Sequence, residues 1–321
     1  MKVFYYCPSL NSPSGGMGVL FKQAKILADN GYDVSLLYEP NQYCSELNPT
    51  WMDFDISYIP KIKINGITNF RIQKDDLLII PEGFGNIIEQ TKDVQYKRII
   101  LAQSWIYILN SMNKPRSWKD FNITEVITPS DNLKNYIDEI MPGLNIHTYK
   151  YSINTSYFNK NSQKEIRVCF SARGQESEMK VTSIINMFKA LCPKYKHIQF
   201  LHLRGYDKQT FSKLLSESTF TLYTDEIACV ATLPLESMAA NTHVIGWDMG
   251  VKDYAVDNEN MFMVTNGDCL GLAKKLKEVV EKYFTDELNE KRLFSNYDKT
   301  LNLYTENQEK ERILEIFQNY K

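Results

Sequence analysis

No part of this 321-residue chain approaches the roughly 20 consecutive apolar residues that a helix needs to cross a bilayer. Apolar runs such as Leu77-Leu78-Ile79-Ile80 and Ile99-Ile100-Leu101-Ala102 are short. The N-terminus, Met1-Lys2-Val3-Phe4-Tyr5-Tyr6, lacks the apolar core of a signal peptide and reads as a first strand. There is no excess of one charge: 37 Lys+Arg stand against 39 Asp+Glu, for a formal net charge of -2. That balance gives no basic signature for nucleic acid, and no acidic tail for a basic partner. Histidine is scarce, at four residues, and HExxH does not occur. The six cysteines (Cys7, Cys44, Cys169, Cys192, Cys229, Cys269) lie far apart, and none forms a CxxC pair. Zinc and dithiol motifs are therefore missing, and the cysteines read as reduced, small hydrophobes of a cytoplasmic chain. Peripheral attachment at the inner membrane face stays open. The dinucleotide pattern GxGxxG is also missing, which counts against an NAD enzyme.

What is present is ordinary globular composition, with 43% hydrophobic and 24% charged residues. At roughly 100–200 residues per domain the length favours two domains. The first opens with a strand at Lys2 to Cys7, turn chemistry from Asn11 to Gly18, and a helical stripe of Leu20, Ala24, Leu27 and Ala28. Asn30-Gly31 ends that helix, and a second strand follows from Asp33 to Tyr38. Leu77 to Ile80, Arg98 to Gln103, Glu125 to Thr128 and Ile146 to Ile153 continue the strands, with Ser130 capping a helix that ends at Pro142-Gly143. The stretch from Asn41 to Asn69 has no clean period, and Asn154 to Lys164, polar and poor in apolar residues, reads as a linker.

A second alternation begins at Glu165. Strands are expected at Arg167 to Ala172, Ile198 to Leu203, Thr219 to Tyr223, His243 to Trp247 and Met261 to Val264. Helices fall between them, one marked by Val181, Ile184, Ile185, Phe188 and Leu191, others at Phe211 to Ser216 and Leu233 to Ala240. Asp268 caps a helix through Tyr283, and Asn289 to Tyr320 is helical and charged. The fold class is thus α/β, with two doubly wound Rossmann-like domains facing a central cleft. The expected bounds are 1–155, 156–303, and a terminal helix over 304–321 that packs back on the first domain through Leu314, Ile316 and Phe317. Ligands of such sheets sit outside the carboxyl ends of the strands.

Three places there carry candidate chemistry. Gly15-Gly16, between the first strand and its helix, lets backbone approach a bound group at a helix N-terminus; a plain tight turn explains the pair equally well. Arg173 and Lys180, after the first strand of the second domain, can hold a diphosphate and neutralise the charge that grows on it as a leaving group; taken alone, two solvated cations is the simpler reading. In Thr232-Leu233-Pro234-Leu235-Glu236-Ser237-Met238-Ala239-Ala240, Pro234 opens a helix and Glu236 is read as an acid of its first turn. A carboxylate there can accept both hydroxyls of a ribose, although helix-dipole stabilisation would explain it too.

These residues resemble the GT-B glycosyltransferases of the large retaining group related to glycogen synthase and bacterial mannosyltransferases, often called family 4 or group 1. Gly15-Gly16 with Leu27-Ala28-Asp29-Asn30-Gly31-Tyr32-Asp33-Val34 resembles its "GG…LA…GHxV" opening. Val126 to Ser130 resembles its "viapS" strand and cap, and Tyr151 to Phe158 its "vipNGiD…f" crossover. Ser171-Ala172-Arg173-Gly174 with Lys180 resembles "GR…KG", and Leu235 to Gly246 resembles "LEAMAxGxPVia". Asp248, Gly250 and Tyr254 keep the register of "dvGG…e".

The resemblance implies transfer of a sugar from a nucleotide-diphospho-sugar to a hydroxyl acceptor, such as a polysaccharide or lipid-linked glycan, with retention and with no metal or other cofactor. It implies that Arg173 and Lys180 hold the diphosphate, that Glu236 holds the ribose, and that Gly16 approaches the diphosphate or the acceptor. Backbone N–H groups near Thr232 and Leu233 add donors. Tyr206, just after a strand, could stack on the base, or simply pack as a loop tyrosine. Trp105 and Tyr107 are assigned to the core rather than to an acceptor.

The chain departs from the family at two points. The family's earlier glutamate, eight positions before Glu236, falls on Ala228, and Glu226 is a substitute out of register. Its N-terminal-domain histidine is missing from Leu101-Ala102-Gln103-Ser104-Trp105, and His147, His197, His202 and His243 are read as structural. A non-catalytic partner subunit of the same fold, and a nucleotide-sugar epimerase, are the competing readings. Self-association is left open.

Overall fold

In the computed structural model, residues 1–113 and 116–320 are described. The chain forms two compact units. One is Met1–Tyr151 with Asn307–Lys321, the other Ser152–Glu306. The chain thus leaves the first unit after Tyr151 and returns to it at Asn307.

The first unit is built on a seven-stranded parallel sheet of order β3-β2-β1-β4-β5-β6-β7. Its strands are β1 (Lys2–Tyr6), β2 (Asp33–Tyr38), β3 (Lys61–Lys63), β4 (Leu77–Pro81), β5 (Lys97–Leu101), β6 (Glu125–Thr128) and β7 (Asn145–Thr148). The central strand β4 is apolar along its whole length, and its neighbours are apolar over most of theirs, because helices cover both faces of a parallel sheet. Leu78, Ile79, Ile80, Ile99 and Ile100 are all buried. Chain order reverses between β1 and β4, so the loops after these two strands flank the sheet's crevice.

Helix α1 (Gly15–Asp29) buries Leu20, Phe21, Ala24 and Leu27, and Gly31 ends it at φ +84°. α2 (Gly85–Gln90) and α3 (Trp105–Asn110) are short; α4 (Asp131–Ile140) starts where the Leu133 N–H donates to Ser130 Oγ at 3.0 Å. Part of the unreadable stretch is β3 and a single 3₁₀ turn at Ile67–Asn69; its buried Leu47, Ile56 and Ile59 join the core without periodic structure.

The second unit has a five-stranded parallel sheet of order β12-β11-β10-β8-β9. The strands are β8 (Glu165–Phe170), β9 (Gln199–His202), β10 (Ser218–Tyr223), β11 (His243–Trp247) and β12 (Phe262–Val264). Its helices are α5 (Gly174–Leu191), α6 (Lys208–Ser216), α7 (Thr232–Ala239), α8 (Cys269–Phe284) and α9 (Glu290–Leu301). The reversal of order lies between β8 and β10. The helical tail is two elements: α9 ends in the second unit, and α10 (Glu306–Gln318) buries Ile313, Ile316 and Phe317 in the core of the first, with Leu314 partly buried.

Asn154 to Lys164 is not a free linker. Phe158 is buried in the core of the second unit, and the Asn159 N–H donates to Ser216 Oγ at 3.0 Å. The Lys164 ammonium donates to the carbonyls of Ser216 at 2.7 Å and Ala240 at 2.6 Å. These carbonyls end α6 and α7 and have no helical partner of their own. Burial pushes the Lys164 amine down to about 8. Lys164 thus closes two helix ends, and other polar groups of the segment go to Ser216, Asp298 and its own turns.

All six cysteines are free thiols, and five of them are buried. Among the described residues no helix is long and apolar enough to cross a membrane.

Candidate functional site

The β8/β10 crevice of the second unit gathers most of the candidate residues. Arg173 is the N-cap of α5, exposed, and followed by Gly174 at φ +80°. Lys180 lies two turns into the same helix. Its ammonium is 2.6 Å from Glu226 Oε2 and 3.1 Å from Glu176 Oε1. The Glu226 carboxylate first, then Glu176, holds the Lys180 ammonium above its ordinary range. Glu226 stands on the loop between β10 and α7, so the helix after β8 and the loop after β10 each contribute one member of the pair.

α7 starts at Thr232, so Glu236 is its fifth residue and not an acid of the first turn. The dipole fades within the first turn, and it does not explain this buried carboxylate. Glu236 Oε1 instead accepts from the Lys208 ammonium at 2.6 Å. Thr232 and Leu233 are half-buried and supply the opening N–H groups of α7.

The helices differ in how their N-termini are closed. Ser130, Asp207, Asp268 and Asn289 accept first-turn N–H groups of α4, α6, α8 and α9 through their side chains. No side chain caps α1, α5 or α7, nor the short helices α2 and α3. Of these, α1, α5 and α7 are the longer helices that follow a strand beside a switch point, and each leaves first-turn N–H groups for an outside acceptor.

The loop before α7 is braced from behind. Asp225 Oδ1 accepts from the N–H groups of Ile227 at 2.9 Å and Ala228 at 3.1 Å. The Ala231 N–H donates to the Gly250 carbonyl at 2.8 Å, and Tyr254 donates its hydroxyl to the Ala231 carbonyl at 2.6 Å. Gly250 is at φ +72°, and a Cβ there would stand 2.7 Å from the Ala228 carbonyl oxygen. Gly250 and Tyr254 thus shape the loop that carries Glu226. His202 does the same for the neighbouring loop, accepting from the Ala172 N–H at 3.2 Å while stacked on Phe170. His147 and His243 pair with Glu125 and Glu290. Tyr206 is 45% exposed on the loop after β9, at the carboxyl edge of the same sheet.

At the β1/β4 crevice of the first unit Gly15 and Gly16 open α1, and a Cβ on Gly16 would stand 3.4 Å from Gln103 Oε1. Beside them is a residue the motifs do not mark, Glu82. It directly follows β4, is 3% exposed, and its Oε1 accepts from the Ser104 N–H at 2.7 Å. Burial pushes its carboxyl up to about 7, with the N–H groups of Gln103 and Ser104 holding it back. Trp105 and Tyr107 are not core residues. They are 36% and 49% exposed, because α3 is short and buries Ile108 alone.

No family model matches the chain. A curated relative from Actinobacillus pleuropneumoniae, named alpha-1,6-glucosyltransferase, is 24% identical over 302 residues, which is 89% of this chain and 86% of the relative. A glycosyltransferase structure from Rickettsia africae aligns with TM-score 0.70 at 15% identity, over 99% of this chain and 98% of its own. The chain has the GT-B fold. S. aureus TarM, solved with UDP, alpha-GlcNAc-glycerol and fondaparinux, also aligns, with TM-score 0.57 and 16% identity over 77% of this chain. This chain spans about half the length of TarM, 55%.

Within its GT-B units, the structure brings Lys180 to Glu226, and places Arg173, Thr232, Leu233, Glu236 and Tyr206 on the same sheet edge. Gly15 and Gly16 belong to the edge of the other unit. Lys208 and Glu82 carry no motif. The sequence signal for Glu82 is an acid directly behind a wholly apolar strand. For Lys208 it is a cation at the first position of a helix. Among the described residues no three His, Cys, Asp or Glu side chains cluster so as to hold a metal ion.

Proposed function

We propose that this chain is a retaining glycosyltransferase that moves a sugar from a nucleoside-diphosphate sugar to a hydroxyl acceptor without a metal. The observation that carries the reading is the β8/β10 crevice. Two uncapped helix N-termini, the Arg173–Lys180 pair of cations and the buried Glu236 share one edge of one sheet. Such an edge takes a diphosphate on N–H groups and cations, and a ribose on the carboxylate.

In this reading Arg173 and Lys180 stabilise the charge that develops as the bond between the anomeric carbon and the phosphate oxygen breaks. The acceptor oxygen bonds to that carbon on the same face, and its proton passes to the departing phosphate. The first-turn N–H groups of α5 and α7 are aligned before the reaction and need no reorganisation. Glu226, held at Lys180, stands in for the acid missing at Ala228. We assign the acceptor to the carboxyl edge of the first unit, where Trp105 and Tyr107 offer exposed rings to a sugar and Glu82 offers a carboxyl group. The name of the Actinobacillus relative makes glucose the first sugar to test, and TarM makes uridine the first base.

A thermal-shift panel of UDP-, GDP-, dTDP- and ADP-sugars tests the donor. One of them should raise the melting midpoint of the wild type most, by mass action. Arg173→Ala and Glu236→Ala should lose most of that shift. Full retention in both variants removes these residues from the assignment, and no shift with any donor ends the reading.

A further inference from the structure

Lys208 stands in an unusual place for a lysine. It is the first residue of α6, where the helix dipole disfavours a cation. The N-cap Asp207 already accepts the Thr210 N–H at 2.8 Å, so the helix has no need of Lys208 for its start. Its ammonium is 2.6 Å from Glu236 Oε1. It also lies 5.8, 5.5 and 5.5 Å from the ring centres of Tyr157, Phe158 and Phe211. Two of these rings belong to the segment leading into β8 and one to Lys208's own helix, so the ammonium, its side chain 35% exposed, is held by that segment and by Glu236 of α7 as well as by α6. Among the described residues Lys208 is the charged partner of Glu236, whose side chain is 12% exposed. A residue that breaks its local rule and is then fixed this firmly serves something other than its helix.

We propose that Lys208 is a positioning residue for ribose recognition: by engaging one oxygen of Glu236 it fixes the carboxylate where a nucleotide's vicinal hydroxyls meet it. The inference rests on the donor reading above and deepens it. An immobilised carboxylate loses less freedom when it accepts a hydroxyl, so it gains more from the 2′-hydroxyl than a mobile one does. Hydrogen bonds to charged groups set the scale, on the order of 10-fold or more in affinity for one hydroxyl.

The test is isothermal titration of UDP, GDP and ADP, each beside its 2′-deoxy counterpart, against the wild type, Lys208→Met and Lys208→Arg. The wild type should prefer the ribonucleotide by about 10-fold or more. Lys208→Met should bring that ratio toward one, mainly by weakening the ribonucleotide, with the 2′-deoxy affinity changed less than about 2-fold. Lys208→Arg, which keeps the charge, should restore most of the ratio. An equal loss for both nucleotides in Lys208→Met indicates a merely structural ion pair and overturns the proposal. So does an unchanged ratio, or a wild type that binds both sugars alike. A wild type that binds none of the six nucleotides fails at the donor reading instead. If Lys208→Met does not fold, as judged by its circular dichroism melt, Lys208→Gln takes its place.

Discussion

Lys180 and Glu226, 46 positions apart in the chain, meet in a 2.6 Å ion pair across the switch point of the second sheet. In the proposed reaction this lysine faces a diphosphate, so Glu226 competes with the nucleotide for it. Glu226→Gln removes the nearer competitor and leaves Glu176, at 3.1 Å, in place. Half-exposed pairs of this kind contribute about 0.2–1 kcal/mol, so UDP should bind the variant up to about 5-fold more tightly. If Glu226 also touches the transferred sugar, turnover of the sugar donor should fall by about 10-fold or more in the same variant. Titration of UDP together with steady-state kinetics separates the effects. Weaker UDP binding would contradict the competition, and unchanged turnover would take Glu226 away from the sugar.

Arg173 should read the diphosphate and not the nucleoside. Its guanidinium is exposed at the N-cap of α5, so truncation should leave the core intact. A charge-assisted hydrogen bond to phosphate is worth about 1.5–3 kcal/mol, which converts to roughly 10- to 100-fold in affinity. Arg173→Ala should therefore bind UDP about 10- to 100-fold more weakly, and bind uridine as the wild type does. Comparable losses for uridine and UDP would mean that the variant disturbs the whole edge.

Much of this arrangement is legible in the residues alone. Asp33–Tyr38, Glu125–Thr128 and His243–Trp247 are strands with the bounds their apolar runs mark, because a parallel strand covered on both faces announces itself by continuous hydrophobicity. Ser130 and Asp268 cap the helices they precede. Glu236 is placed too early when the helix start is set by Pro234, since a proline is tolerated anywhere in the first turn and fixes the start only to within that turn. Trp105 and Tyr107 are assigned to the core by their chemistry alone; that α3 is too short to bury them follows from tertiary packing. Glu82 and Lys208 depend on which loops meet at an edge, and no local pattern carries that.

Gly250 is the position where the donor-side loop depends on backbone freedom. Its φ of +72° is strained for any residue with a Cβ, and the added methyl would stand 2.7 Å from the Ala228 carbonyl oxygen. Gly250→Ala should cost about 1–3 kcal/mol of stability. The backbone must shift to relieve the contact, and it would carry the Ala231 N–H away from the Gly250 carbonyl that now holds it at 2.8 Å. Nucleotide affinity should fall along with the melting temperature. Gly31→Ala serves as the control: its φ is also positive, at +84°, but nothing lies within 4 Å of the added carbon. It should lower stability and leave nucleotide affinity unchanged. Equal affinities for the two variants would show that the Gly250 contact does not shape the loop.

The protonation of Glu82 makes stability depend on pH in a direction opposite to that of a salt-bridged acid. Burial raises its carboxyl from an ordinary value of 4.5 to about 7 in the folded chain. Between those values the folded state keeps a proton that the unfolded state has released. Stability contributed at this site is therefore fully present below about 4.5 and declines as pH rises through 7. The loss reaches about 3 kcal/mol at most above that window. Glu82→Gln has nothing to ionise, and its side-chain carbonyl can still accept the Ser104 N–H. The melting temperature of the variant, measured against wild type, should therefore rise between pH 5 and pH 8, by about 5 °C or more. A difference that stays constant across this range would mean that Glu82 is an ordinary carboxylate in the folded protein. If the same carboxyl also orients an acceptor hydroxyl, the variant's turnover should lose its dependence on pH near 7 even where its stability is improved.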